Sequence, residues 1–233
     1  MEPKHQALSG FNRCPAEILN LVFKFLSPTE LRSLTLVSKD LRAVAEPLLY
    51  SKIQWTWQDG HHPPPITQLL RTIISRPQLA AYITNVYLAG NFFRGQDFRR
   101  KIAQIPLLGA ELDGAITFIQ RTGVPYIDLW IQELRNGTAD AVIALLLAQP
   151  LLNLRCLYLG PVFIRQTALI GMVLRSSILQ PMDYQLPDFQ HLQDVTFLLE
   201  EQEDEGRDKK KKKDYGCLAI ILSTECSTLV SLN

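Results

Sequence analysis

Cysteine is scarce in this sequence: four residues in 233, Cys14, Cys156, Cys217 and Cys226, none in C-x-x-C spacing. Disulfide frameworks and zinc sites show close, paired spacing, so these thiols are expected to be reduced and to behave as small hydrophobes. Charge of one sign is lacking too. Twenty-four basic residues against 23 acidic ones leave a formal net charge of +1, which gives no field to draw the chain onto nucleic acid or an anionic membrane. Long apolar runs are absent. The longest, such as 141–148, fall far short of the roughly 20 residues a membrane span needs, and the opening MEPKHQALSG lacks the apolar stretch of a secretory signal. His61 and His62 stand beside Pro63, Pro64 and Pro65 in an evident loop, a setting that favours solvated imidazoles over a metal site. No GxGxxG, P-loop or GxSxG occurs. The expectation is an intracellular protein of the cytoplasm or nucleus, not an enzyme, with no catalytic residues, no cofactor, no metal, and neither nucleic acid nor membrane as partner.

What is present is ordinary globular material, 47% hydrophobic and 20% charged. The stretch CPAEILNLVFKFLSPTELRSLTLVSKDLRAVAEPLLY, residues 14–50, reads as three short helices. Pro15 suits the first position of helix one and Glu17 its positive end. Ser27-Pro28-Thr29-Glu30 is a capping box with proline at the first helical position, which ends helix one and starts helix two. Ser38 caps a third helix that Pro47 is expected to kink or end. Helix one carries Ile18, Leu19, Leu21, Val22, Phe23, Phe25 and Leu26 and is apolar on more than one face. Three helices of some forty residues build a marginal core, so the surplus apolar surface must be covered by the rest of the chain or by a partner. Composition leaves both open.

The run Pro15-Ala16-Glu17-Ile18-Leu19, then Phe25-Leu26-Ser27-Pro28-Thr29-Glu30-Leu31, then Leu36-Val37-Ser38-Lys39 and Leu41-Arg42, resembles the F-box motif along its length. The ending Glu46-Pro47-Leu48-Leu49-Tyr50 is similar to fungal members in particular. One departure is Cys14, where the family usually has leucine before the proline; the smaller side chain is expected to weaken one contact. The resemblance implies an F-box at 12–50 that docks a Skp-type adaptor and, through it, a cullin. Carried over residue by residue, the adaptor-binding surface would be Pro15, Ile18, Leu19, Val22, Leu26, Leu31, Leu34 and Val37, some of which must instead pack the helices together.

After Tyr50 the period changes. Ile53, Trp55 and Trp57 alternate with polar residues and predict a strand; 66–75 predicts a helix stopped near Pro77. An apolar-x-x-apolar-x-apolar form then recurs at Ile83, Val86, Leu88; at Leu154, Leu157, Leu159; at Leu192, Val195, Phe197; and begins again at Leu229, Leu232. Helical stretches precede each occurrence, at 66–75, 138–149, 167–179 and, less clearly, 215–223, while 125–136 reads as a further helix between the first two. One helix plus one strand per step implies stacked units and a parallel sheet. The fold class is therefore mixed α/β: a three-helix F-box followed, over 51–233, by an irregular helix-strand array that resembles leucine-rich repeats. Residues between the apolar strand positions, Asn85, Tyr87, Cys156, Tyr158, Asp194 and Thr196, would face the open side, and Asn85, Tyr87, Tyr158, Asp194 and Thr196 are the candidates for holding a target protein. The segment 200–214, EEQEDEGRDKKKKKD, carries seven acidic and six basic residues and reads as a solvated, disordered loop. The chain stops inside the fourth strand pattern, so the array is expected to be incomplete at its end. The function implied is a substrate receptor of an SCF-type (Skp, cullin, F-box) ubiquitin ligase. The competing reading is a truncated or non-ligase scaffold that binds the adaptor without delivering a target.

Overall fold

The structure is a computed structural model in which residues 14–57, 64–90, 104–160, 163, 168–198 and 217–221 are described. The chain divides into two compact units, residues 1–52 and 53–233.

The first unit holds α1 (Ala16–Phe23), α2 (Pro28–Val37) and α3 (Lys39–Ser51). Pro15 is the N-cap of α1 rather than its first residue. The capping box forms as the sequence predicts. The Glu30 backbone N–H donates to Ser27 Oγ at 3.3 Å, and the Ser27 backbone N–H donates to Glu30 Oε2 at 2.7 Å. The Ser27 backbone N–H, and after it the Ser27 hydroxyl, hold the Glu30 carboxyl below the usual carboxylate range. A depressed folded-state value means that the cap's contribution is present above the unfolded value and is lost as pH falls through the lowered one. Ser27→Ala is accordingly expected to lower this unit's thermal midpoint by a few degrees at neutral pH and by less in acid, as a melt at two pH values would show. Ser38 accepts from the Leu41 N–H at 3.1 Å, and Arg42 Nε donates to the Thr35 carbonyl at 2.8 Å, which ties α3 back to the end of α2. Pro47 does not end α3, which runs on to Ser51. Leu48 and Leu49, just beyond it, pack against the unit's core and hold the last turn in place.

The second unit is built on a five-stranded sheet in the order β1 (Lys52–Trp57), β2 (Asn85–Gly90), β3 (Cys156–Leu159), β4 (Asp194–Leu198), β5 (Cys217–Ile221). Strands β2, β3 and β4 run parallel and β5 pairs antiparallel with β4. Helices α4 (Ile66–Ser75), α5 (Ala110–Thr122), α6 (Ile127–Arg135), α7 (Ala139–Leu147) and α8 (Leu169–Leu179) lie between the strands in sequence, with a 3₁₀ segment at Pro77–Tyr82. The fold class is mixed α/β, a helical N-terminal region followed by helices and a small parallel sheet. Strand register places Asn85, Cys156 and Asp194 in one row and Tyr87, Tyr158 and Thr196 in another, so the recurring apolar form falls in line across three strands. The recurring form is silent about direction, and 217–221 departs from it: expected within a helix, it is a strand. Five apolar residues, CLAII, ending in two β-branched side chains, are too few for a stable helix and suit an extended partner for β4. The fourth strand pattern at Leu229 and Leu232 and the charged segment 200–214 lie outside the described residues.

Helix α7, AVIALLL after its first turn, is apolar all round and buried nearly throughout, with α4, α6 and α8 against it. Its one polar residue near the start, Asp140, reaches α8. The Asp140 carboxylate accepts from the backbone N–H groups of Ala168 and Leu169 at 2.9 Å and of Ile170 at 3.0 Å. Those are the orphan donors of the α8 N-terminus, which has no side-chain cap of its own. Asp140→Ala is expected to cost about 2 kcal/mol of stability and Asp140→Asn less, since the amide keeps one acceptor; chemical denaturation followed by tryptophan fluorescence would measure both. At the far end of β3 the Gly160 N–H donates to the Leu88 carbonyl at 2.7 Å. A Cβ on Gly160 would sit 2.9 Å from the Gly90 nitrogen, so this close approach of two chain segments admits glycine only.

Candidate functional site

The first unit presents two apolar stripes on α1. The inner stripe, Leu19 and Phe23, packs with Leu31, Leu41 and Ala45 as the core, with Cys14, Leu26, Leu34, Val44, Leu48 and Leu49 partly buried against it. The outer stripe, Ile18, Leu21 and Val22, continues at i, i+3, i+4, i+7 spacing to Phe25 in the turn that follows α1, and all four are exposed, Phe25 at 90%. At the end of α2, Leu36 (75%) and Val37 (55%) are exposed as well. A row of four large apolar side chains in water, along α1 and the turn after it, is the kind of surface that a partner buries.

This geometry divides the eight residues assigned to docking. Leu19 and Leu31 are 7% and 5% exposed and are core residues, because a unit this small needs them to close its interior. Leu26 and Leu34 are half-buried against that core. Pro15, Ile18, Val22 and Val37 are exposed. Leu21, Phe25 and Leu36, outside the eight, are exposed as well, and the i, i+3, i+4, i+7 spacing of 18, 21, 22 and 25 sets this row apart from Leu19 and Phe23. Cys14 is half-buried and packs against the unit's core.

Residues 11–54 match the F-box-like family model. F-box domains in general bind Skp-type adaptors, and the F-box-like domain here leaves an apolar face of α1 exposed. No curated protein matches the chain.

In the second unit the sheet buries one face: Val86, Leu88, Leu157, Leu159 and Val195 are in the core. On the other face Asn85, Tyr87, Cys156, Tyr158 and Thr196 are half-exposed and Asp194 is exposed. The structure thus brings together the five residues proposed from sequence to hold a target. Tyr87 and Tyr158 stack with ring centroids 3.9 Å apart and planes at 10°. Cys156 Sγ donates to Asp194 Oδ2 at 3.6 Å. Burial first, and then that carboxylate, push the Cys156 thiol up, so the thiol is neutral at pH 7 and is no activated nucleophile. A separate cleft of about 230 Å³ lies between α4 and α5; its two charges, Arg71 and Glu111, pair with each other at 3.2 Å. Among the described residues no cluster of His, Cys, Asp and Glu could hold a metal ion, and no helix is long and apolar enough to cross a membrane.

Proposed function

We propose that the chain is a substrate-receptor subunit of an SCF-type ubiquitin ligase. The F-box-like domain docks a Skp-type adaptor, which brings the cullin. Residues 51–233, read as an irregular leucine-rich-repeat-like region, hold a target protein at the open sheet face. The chain supplies no catalytic residue; ubiquitin transfer belongs to other subunits. The reading rests on the outer stripe of α1, four apolar side chains that the domain's own core leaves in water. Asn85, Tyr87, Tyr158, Asp194 and Thr196 would be the target contacts, and the stacked tyrosines support this, since Tyr offers large contact area with a polar tip.

The test is reconstitution. The chain co-expressed with a Skp-type adaptor should elute with it as one complex and recruit a cullin. Failure of the folded chain to hold the adaptor would remove the receptor reading altogether. Adaptor binding without any protein whose ubiquitination depends on residues 53–233 would leave a scaffold.

A further inference from the structure

The cleft between α4 and α5 is lined by Leu70 and Ile74 of α4, Gly114 and Ala115 of α5, Leu107, and Leu145 of the buried α7. Leu70, Leu107, Ala115 and Leu145 are buried, so the unit's own core fixes where they stand. The cleft's two charges, Arg71 and Glu111, lie one on each helix and pair with each other at 3.2 Å. Each thus has its counter-ion. A charged ligand entering here would shed its hydration without meeting an unmatched charge, whereas a neutral apolar one incurs no such cost.

Gly114 sits in the second turn of α5, where alanine would favour the helix. A Cβ there would meet no heavy atom within 4 Å among the described residues outside its own stretch of helix. Packing therefore does not demand the glycine, and the space of a side chain is left to the cleft. The cleft's volume, about 230 Å³, decides the size of its guest. An apolar cavity of about 150 Å³ holds benzene, while sites for drug-sized ligands start at about 300 Å³. One substituted ring falls between these limits.

We propose that the cleft between α4 and α5 binds a small neutral ligand, a single apolar ring with short substituents. The ring packs on Leu70, Leu107 and Leu145 and takes the space that Gly114 leaves beside it. The site is separate from the sheet face, and the inference does not rest on the receptor reading above.

The probe is toluene, with benzoate and benzylamine as its charged counterparts, added to the full chain. Toluene should give ligand-detected saturation transfer in NMR and raise the melting midpoint read by tryptophan fluorescence by a few degrees near saturation. Benzoate and benzylamine should bind about tenfold more weakly or worse. Gly114→Leu, whose side chain would occupy the cleft, should weaken toluene binding about tenfold or more, with a melting midpoint at or above the parent's. A second measurement does not depend on that variant folding: in the isotope-labelled parent, toluene should shift the amide resonances of Gly114 and Ala115. Toluene that gives neither transfer nor a midpoint shift overturns the proposal. So does binding that a folded Gly114→Leu chain retains in full, or that moves amides elsewhere and leaves Gly114 and Ala115 unmoved. Benzoate or benzylamine bound as tightly as toluene overturns the neutral class of ligand.

Discussion

Replacing Val22 with aspartate is expected to abolish co-purification with a Skp-type adaptor while leaving the F-box-like domain folded. Val22 is 50% exposed in the middle of the outer stripe of α1, between Ile18 and Phe25, so a carboxylate there stays in water when the domain is alone. In a complex that buries the stripe, the same carboxylate would be desolvated against apolar side chains at a cost of several kcal/mol. Each 1.4 kcal/mol is tenfold in affinity, so the loss should be about a hundredfold or more. Phe25→Asp should act alike, since Phe25 is 90% exposed and contributes little to the domain's own interior. Leu19→Asp cannot serve for this purpose. It would place a charge in the core beside Phe23 and Leu41, unfold the unit and lose the adaptor for that reason. The measurement is a pull-down paired with a thermal melt. A Val22→Asp chain that melts like the parent and still holds the adaptor would show that α1 does not dock through this face.

The contrast between Val22 and Leu19 marks how far the sequence could be read. Features set by neighbours in the chain were legible. The Ser27–Glu30 capping box needs only a side chain and a backbone group three residues apart. The rows of β2, β3 and β4 follow from one apolar form repeated at Ile83, Leu154 and Leu192, all of them buried. Features set by tertiary context were not. Spacing separates the two stripes of α1, but only the placement of α3 decides which one is core. Helix α5 is weakly marked in the sequence, although Leu112, Ala115, Ile116 and Ile119 have helical spacing and Gly123, at φ +72°, closes it. The run lies between glycines, and its Ala115 is too small to register as a core position. The direction of β5 was not written locally at all, because it depends on pairing with β4 across the intervening charged segment. On the open sheet face, alternation gave the membership of Asn85, Tyr87, Tyr158, Asp194 and Thr196. The closeness of the tyrosine stack and the Cys156–Asp194 contact depend on side-chain conformations that spacing does not reveal.

Trp130→Ala is expected to be the most damaging single change in the second unit. Trp130 is fully buried on α6 and its Nε1 donates to the Ala141 carbonyl at 3.1 Å, so one side chain fills the space between α6 and α7 and ties the two together. Truncation removes a large apolar group and leaves a cavity against a helix that is itself buried nearly throughout, where collapse has little room. The cost should be about 3–5 kcal/mol, against about 1 kcal/mol for Trp130→Phe, which keeps most of the volume and forfeits the hydrogen bond. The chain is convenient for the measurement: its three tryptophans, Trp55, Trp57 and Trp130, all fall within residues 53–233. Tryptophan fluorescence therefore follows the second unit alone, and Trp55 and Trp57 remain as reporters in the variant. Denaturant midpoints should move far to lower concentration for the alanine variant. Adaptor binding, which depends on residues of the first unit, should be retained under conditions where the second is unfolded. A Trp130→Ala chain whose fluorescence midpoint matches that of the phenylalanine variant would mean that α6 and α7 close over the gap, and that Trp130 does not hold the two helices together.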